Sequence, residues 1–376
     1  MKKIFKIVTF LTLIMIIGGT GAIIAERYFF PYLTTTKFFS KYEFLRKGIE
    51  NTTVINKTEQ IYIKEETTLS KITSKINPSI VNILIIEDYD SKQPVLKNTT
   101  GVVVTSDGLI VTYDNSFFKD GSSYKIYTYD SNSYSAKLFG IDSFSNLVFL
   151  KADTNNLQPV SFGNSNDSRP GDKIIIISNN FGFYSNQYAS GLIRANDQKF
   201  NLAGLALSSS EKMEGVFSLD INSGEFSGAA VVDYSGQVIG IVGFVIKDNK
   251  EIYFQIPSNK VKWSMERAIR NELDNNPYLG IYYLPIDKSL ASAFKLPVEK
   301  GALIYSASGQ QGLAIIANSP AQKAGLRIND IIIKVDDQEV NLENPFSEII
   351  RRYKKGEVIN LRIIRNNKEE SIKVSL

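Results

Sequence analysis

From residue 79 to residue 257 the chain alternates between short runs of β-branched and other apolar residues and brief polar breaks. Ser79–Ile86, Gly101–Thr105, Leu109–Tyr113, Leu147–Leu150, Lys173–Ser178 and Gln237–Val245 read as strands. Ser106-Asp-Gly, Lys119-Asp-Gly and Tyr234-Ser-Gly supply turns between them. Many short strands with regular turns and little helix predict an antiparallel barrel or sandwich. A helical period begins only at Ser258, a residue suited to capping, with Val261, Met265, Ala268 and Ile269 on one face and an end near Asn275–Pro277. Residues 277–376 then hold strands, a short helix at Ser319–Gly325 and a second helix starting near Pro345, the pattern of a small α+β domain.

The N-terminus has a different texture. Lys2, Lys3 and Lys6 precede an apolar run of 19 residues, Ile7 to Ala25, broken only by Thr and Gly. As a helix this run spans roughly 28 Å, close to the hydrocarbon thickness of a bilayer. It is longer than the apolar core of a cleaved signal peptide, and Ala22-Ile-Ile-Ala-Glu26 is a poor cleavage site. A single-pass anchor in the cytoplasmic membrane is the expectation, with a cleaved signal as the alternative. The lysines stay inside, and everything after Arg27 lies on the extracytoplasmic, periplasmic side. Residues 1–26 are thus read as lysines plus anchor and 27–68 as a stalk.

Composition narrows the chemistry. The sequence has 43 Lys+Arg against 39 Asp+Glu, a net charge of +4, too even to suggest a nucleic-acid partner. It contains no Cys and no His. Disulfides, thiolate metal sites and a cysteine nucleophile are excluded, and imidazole is unavailable as a base or a metal ligand. No metal and no cofactor is expected.

Several segments together resemble one family. Thr100–Thr112 is similar to a strand pair that leads to a catalytic histidine, and Gly140–Lys151 to a segment that carries a catalytic aspartate. Pro159–Ser165, Arg169–Asp172, Ala189–Ile193, Ser227–Ile241 and Phe254–Asn259 continue the match, while Pro277–Ile281, Ser319–Leu326 and Asn329–Ile332 resemble a PDZ domain. In order and spacing they resemble the HtrA/Deg family of trypsin-like proteases with PDZ domains, from about Leu69 to Leu376. The resemblance implies a mainly β fold: a trypsin-like double six-stranded antiparallel barrel at 69–274, then an α+β PDZ domain at 275–376, behind an N-terminal transmembrane helix. One span and one PDZ domain look most like the anchored, stress-sensing branch of the family.

By the same resemblance Asn115 stands at the histidine position, Asn146 at the aspartate position and Ser227 at the nucleophile position. A carboxamide cannot accept the serine proton at physiological pH, and loss of the base costs on the order of 10⁶ in turnover. The loop before the serine, Gly224-Glu225-Phe226, departs from the family's Gly-Asn spacing and sets an acidic residue where an oxyanion must be stabilised. Lys260 and Lys262 are the lysines weighed as a substitute base, and Asp114 or Asp142 as half of a carboxylate pair; Asp142 also reads as a turn residue. The expectation is a proteolytically inactive homologue. Its alternatives are a low-activity serine endopeptidase and a structural subunit, as a homotrimer or beside an active paralogue.

The PDZ-like part keeps its working residues. The N–H groups of Leu279, Gly280 and Ile281, after Tyr278, would hold the carboxylate of a C-terminal peptide or unfolded chain, and Phe346 and Ile350 share the facing helix side.

Overall fold

A computed structural model of the chain describes residues 2–25, 69–87, 95–113, 118, 122–179, 186–203, 207–221, 226–247, 249–306, 308–309 and 313–376. The chain divides into two units, Met1–Ser70 and Lys71–Leu376. The first holds one helix, α1 (Lys2–Ile24). Its large apolar side chains, among them Ile7, Phe10, Leu11, Met15 and Ile17, are exposed. Among the described residues no helix is long and apolar enough to cross a membrane, so the spanning anchor is not borne out. The expected stalk, residues 27–68, lies outside the described residues.

The second unit opens with helical residues 71–76 and then builds two barrels. Strands β1 (Ile80–Glu87), β2 (Val95–Val103), β3 (Leu109–Tyr113), β4 (Ser123–Tyr127), β5 (Ser133–Asp142) and β6 (Leu147–Ala152) close in the order β1-β2-β3-β6-β5-β4. The period-2 alternation of these strands sends Val81, Ile83, Ile85, Ile110, Ile126, Val148 and Leu150 inward to a single core. Strands β7 (Lys173–Ser178), β8 (Gln187–Asn201), β10 (Glu214–Leu219), β11 (Ala230–Val232), β12 (Val238–Lys247) and β13 (Lys250–Pro257) close a second barrel, β10-β13-β12-β11-β7-β8. Closure leaves neither barrel an open edge. The two-residue strand β9 (Ser208–Ser209) leaves the second barrel between β8 and β10.

Helix α2 (Ser258–Ile269) follows β13. Ser258 does not cap it. Pro257 holds the N-cap position, and the Ser258 hydroxyl instead donates to the Gly163 carbonyl at 2.9 Å. Its buried face is Ser258, Val261, Ser264, Arg267 and Ala268, while Ile269 is 55% exposed, because the helix packs polar groups against the barrel as well as apolar ones.

The last hundred residues form the α+β domain. Strands β14 (Tyr282–Ile286), β15 (Gly301–Ile304), β16 (Ile331–Val335), β17 (Gln338–Glu339), β18 (Val358–Arg365) and β19 (Lys368–Ser375) make a sheet in the order β19-β18-β16-β15-β14, with β17 on β16. Helices α3 (Lys288–Phe294), α4 (Pro320–Lys323) and α5 (Phe346–Ile350) lie among them. Ser319 caps α4 through a bond from the Gln322 N–H. On its far side from β15, β14 pairs antiparallel with β9.

Candidate functional site

Ser227 lies just before β11, in a turn whose shape is set by Gly228 at φ +76°. A Cβ there would stand 2.5 Å from both the Thr100 carbonyl oxygen and the Thr112 Oγ1, so only glycine fits. Ser227 is 6% exposed, and its Oγ has no hydrogen-bond partner among the described residues. Phe226 packs into the second barrel's core with Ile176, Val231 and Val242. Asn115, Gly224, Glu225 and Asp114 lie outside the described residues, so the expected oxyanion defect is not described.

Asn146 closes the turn between β5 and β6 at φ +57°, a conformation asparagine tolerates. Its Nδ2 donates to Tyr113 Oη at 3.2 Å, and its Oδ1 accepts from Lys212 Nζ at 2.9 Å. Tyr113 Oη in turn donates to the Phe244 carbonyl at 2.7 Å, which ties β3 of one barrel to β12 of the other. Asn146 therefore sits on a hydrogen-bonded seam between the barrels. Sequence reasoning named Asn146 but missed Lys212.

Neither lysine weighed as a base serves Ser227. Lys260 Nζ pairs with Glu348 at 2.7 Å and donates to the Glu214 carbonyl, and Lys262 Nζ reaches the Gly163 carbonyl at 3.2 Å. Among the described residues Asp142 has no carboxylate partner. It does hold its turn, accepting from the Phe144 N–H at 3.1 Å and Ser145 Oγ at 2.6 Å. It also accepts from Ser264 and pairs with Arg351 at 2.6 Å, with both side chains essentially buried. Burial pushes its pKa up, but the guanidinium and the two hydroxyls outweigh that and hold it below the ordinary carboxylate range. The Arg351 guanidinium also lies 4.1 Å from the Phe144 ring and 4.8 Å from that of Trp263.

A second buried carboxylate behaves oppositely. Glu214, on β10, accepts from Tyr283 Oη and from Ser347 Oγ at 3.3 Å. Burial pushes it up to about 7, against the pull of those hydroxyls and of Lys260. Tyr283 is raised well above its ordinary value by burial and by the Glu214 charge.

Tyr278, Leu279, Gly280 and Ile281 form the loop ahead of β14, with Gly280 at φ +81°. Phe346 and Ile350 of α5 share a core with Leu279 and Ile281. The structure thus brings four of the six expected groove residues into one core, with Gly280 in the loop between two of them, while Tyr278 is exposed. The loop's N–H groups are engaged. Leu279 N and Gly280 N donate to Glu211 Oε1 at 3.1 and 2.9 Å, and Ile281 N donates to Ser210 Oγ at 3.1 Å.

Comparison with known proteins agrees with this architecture. Residues 99–241 match the trypsin-like peptidase domain family, and residues 277–376 match the PDZ domain family. The chain belongs to the HtrA/Deg family. A probable periplasmic serine endoprotease, DegP-like, of Brucella suis is 30% identical over 292 residues, covering 76% of this chain and 53% of that protein. Its counterpart in Bartonella henselae is 29% identical over 283 residues, 74% of this chain and 52% of that protein. The chain spans about half the length of the curated relatives it matches. Among solved structures, the HtrA-type protease AlgW with tripeptide superposes with a TM-score of 0.65 at 23% identity, over 81% of this chain and 95% of that one. The serine endoprotease from Yersinia pestis superposes at 0.56 and 20%, over 81% and 96%. These likenesses show the fold. The relatives also correct one expectation: they are named serine endoproteases, so reading this chain as a non-enzyme does not stand. The missing imidazole excludes one base for Ser227; it does not exclude hydrolysis.

Proposed function

We propose that this HtrA-family chain is a serine endopeptidase of low activity, with its bulk outside the cytoplasm, whose PDZ domain takes C-terminal peptides or the ends of unfolded chains. The observation that carries the enzymatic part is that Ser227, the nucleophile by resemblance, is buried with its hydroxyl unclaimed among the described residues. A serine kept only for packing is expected to bond a neighbouring carbonyl, because a buried unsatisfied hydroxyl costs about 1–3 kcal/mol. With no histidine in the sequence, the proton acceptor is another group and turnover is slow. The periplasmic naming of the relatives supports the extracytoplasmic placement, and the uncovered apolar side chains of α1 support keeping an N-terminal anchor in the reading. Peptide binding is supported by the loop amides of Leu279, Gly280 and Ile281 converging on acceptors beside the β14 edge, where a short extended segment already pairs with the sheet.

A fluorophosphonate probe tests the enzymatic part. Slow covalent labelling of the full chain, mapped to Ser227 by mass spectrometry and absent in Ser227→Ala, is expected, together with slow cleavage of unfolded casein. Equal casein cleavage by the parent and Ser227→Ala, with no labelled serine, would refute the reading.

A further inference from the structure

The edge of β14 is where an extended peptide would add to this sheet, and the chain's own segment 208–211 lies there. Ser209 pairs with Tyr282 and Ser208 with Tyr283, antiparallel. Ser210 N donates to the Ile281 carbonyl at 3.1 Å, and Ser210 Oγ both accepts from Ile281 N and donates to that carbonyl at 3.2 Å. One residue on, the Glu211 carboxylate occupies the position between the Leu279 and Gly280 amides. The chain then folds back, Lys212 N donating to the Ser209 carbonyl at 3.2 Å. Strand register, a final residue at Ser210 and a carboxylate in the amide nest are the three features a bound C-terminus would present. A side chain supplies the last of them.

We propose that residues 208–211 are a built-in competitor for the PDZ groove, and that a peptide with a free α-carboxylate binds by displacing them. The inference rests on the reading that this groove takes C-terminal peptides. Glu211 makes charge-assisted bonds to two amides, the strong kind, so its carboxylate is the main hold on the occupied state. An internal occupant lowers the apparent affinity for an outside peptide by the fraction of time the groove is open. Antiparallel pairing of only two residues is weak support for β9 by itself, so loss of the carboxylate shifts the balance toward the open groove. The neighbouring residue, Lys212, donates to Asn146 Oδ1 and, at 2.6 Å, to the Ser143 carbonyl. Adjacent residues therefore join the occupied groove to the aspartate-equivalent position.

The test uses the full chain and a fluorescein-labelled synthetic peptide with the sequence of residues 203–210, so that its terminal carboxylate falls where Glu211 now sits. Polarisation titrations should show Glu211→Ala binding at least about tenfold more tightly than the parent, and Glu211→Gln, which keeps one neutral acceptor, by a smaller factor. The same peptide with an amidated C-terminus should bind neither. Hydrogen exchange supplies a readout that needs no ligand: the Leu279 and Gly280 amides should exchange faster in Glu211→Ala, with the rest of the sheet unchanged. Equal peptide affinity in parent and Glu211→Ala, with equal amide exchange, overturns the competitor while leaving the groove reading intact. Faster exchange with no binding of the carboxylate peptide to either protein overturns the groove reading instead, and the competitor with it.

Discussion

Arg351→Met removes one half of a pair whose side chains are 2% and 1% exposed, and its cost can be worked from the surroundings. Asp142 would keep the Phe144 N–H and the Ser145 and Ser264 hydroxyls, so it is not stripped of partners. It would lose the only cation bonded to it among the described residues, and Phe144 and Trp263 would lose the guanidinium lying on their rings. Breaking a buried pair from one side costs about 3–5 kcal/mol, and the three remaining donors place this case near the low end. The loss should depend on pH. In the parent, Asp142 is held below its ordinary range, so its contribution is present above about pH 4 and fades as pH falls further. In the variant burial is the leading influence, the carboxyl moves up, and a penalty grows as pH rises above about 4. The difference between the proteins is therefore largest at neutral pH and shrinks toward pH 4. Trp263, the single tryptophan, touches Arg351 and reports the transition directly in urea titrations followed by fluorescence. Asp142→Leu with Arg351→Met should recover most of the loss, since neither charge is left stranded. A deficit below about 1 kcal/mol at pH 7 would match an exposed pair and refute the reasoning. So would a deficit that is the same at pH 4 and pH 7.

Two further outcomes are expected. Glu214, pushed up to about 7, keeps its proton in the folded protein over a range where the unfolded chain has lost it, so stability falls as pH rises from about 4.5 to 7 and levels off above. The fall is on the order of 3 kcal/mol, and in Glu214→Gln the thermal midpoint should lose this part of its pH dependence; an unchanged slope between pH 5 and 7 would contradict it. Gly228→Ala must relieve contacts with the Thr100 carbonyl and Thr112 Oγ1 at a positive φ, and should destabilise by at least about 2 kcal/mol, read from the urea midpoint; a neutral effect would mean that the turn before β11 is differently shaped.

The barrels were legible because their strands carry their own signal. Lys173–Ser178 and Leu109–Tyr113 are the β7 and β3 boundaries as read from apolar runs between turns. The Tyr278–Ile281 loop and the Phe346/Ile350 face were legible for the same reason, since the residues within each lie only a few positions apart in sequence. Other features depend on partners far along the chain. Asp142 and Arg351 are 209 positions apart, and nothing local distinguishes Arg351 from the exposed Arg352 beside it. Glu211 follows three serines in an unremarkable polar stretch, and only the return of that stretch to the β14 edge gives its carboxylate a role. Ile269 shows the converse failure: helical spacing put it on the apolar face, but the face that packs is defined by Ser264 and Arg267, whose partners are polar.

Those long-range polar partners share a location. Asp142, Ser264 and Trp263 meet Arg351, while Glu214 and Lys260 meet Tyr283, Ser347 and Glu348, so the peptidase and PDZ parts join through charged and hydroxyl groups. Relative to an apolar seam, such a joint adds little net adhesion, because desolvation offsets most of each pair's attraction. It does penalise misalignment heavily: a displaced Arg351 leaves Asp142 uncompensated, and a displaced Tyr283 leaves Glu214 with one hydroxyl fewer. Modest adhesion with strict geometry is what a domain needs if its groove is to open and reclose in one register. Glu211 lies three residues before Glu214 in the sequence and bonds the Leu279 and Gly280 amides, so the anchored Glu214 returns the segment to the same amides each time the joint reforms.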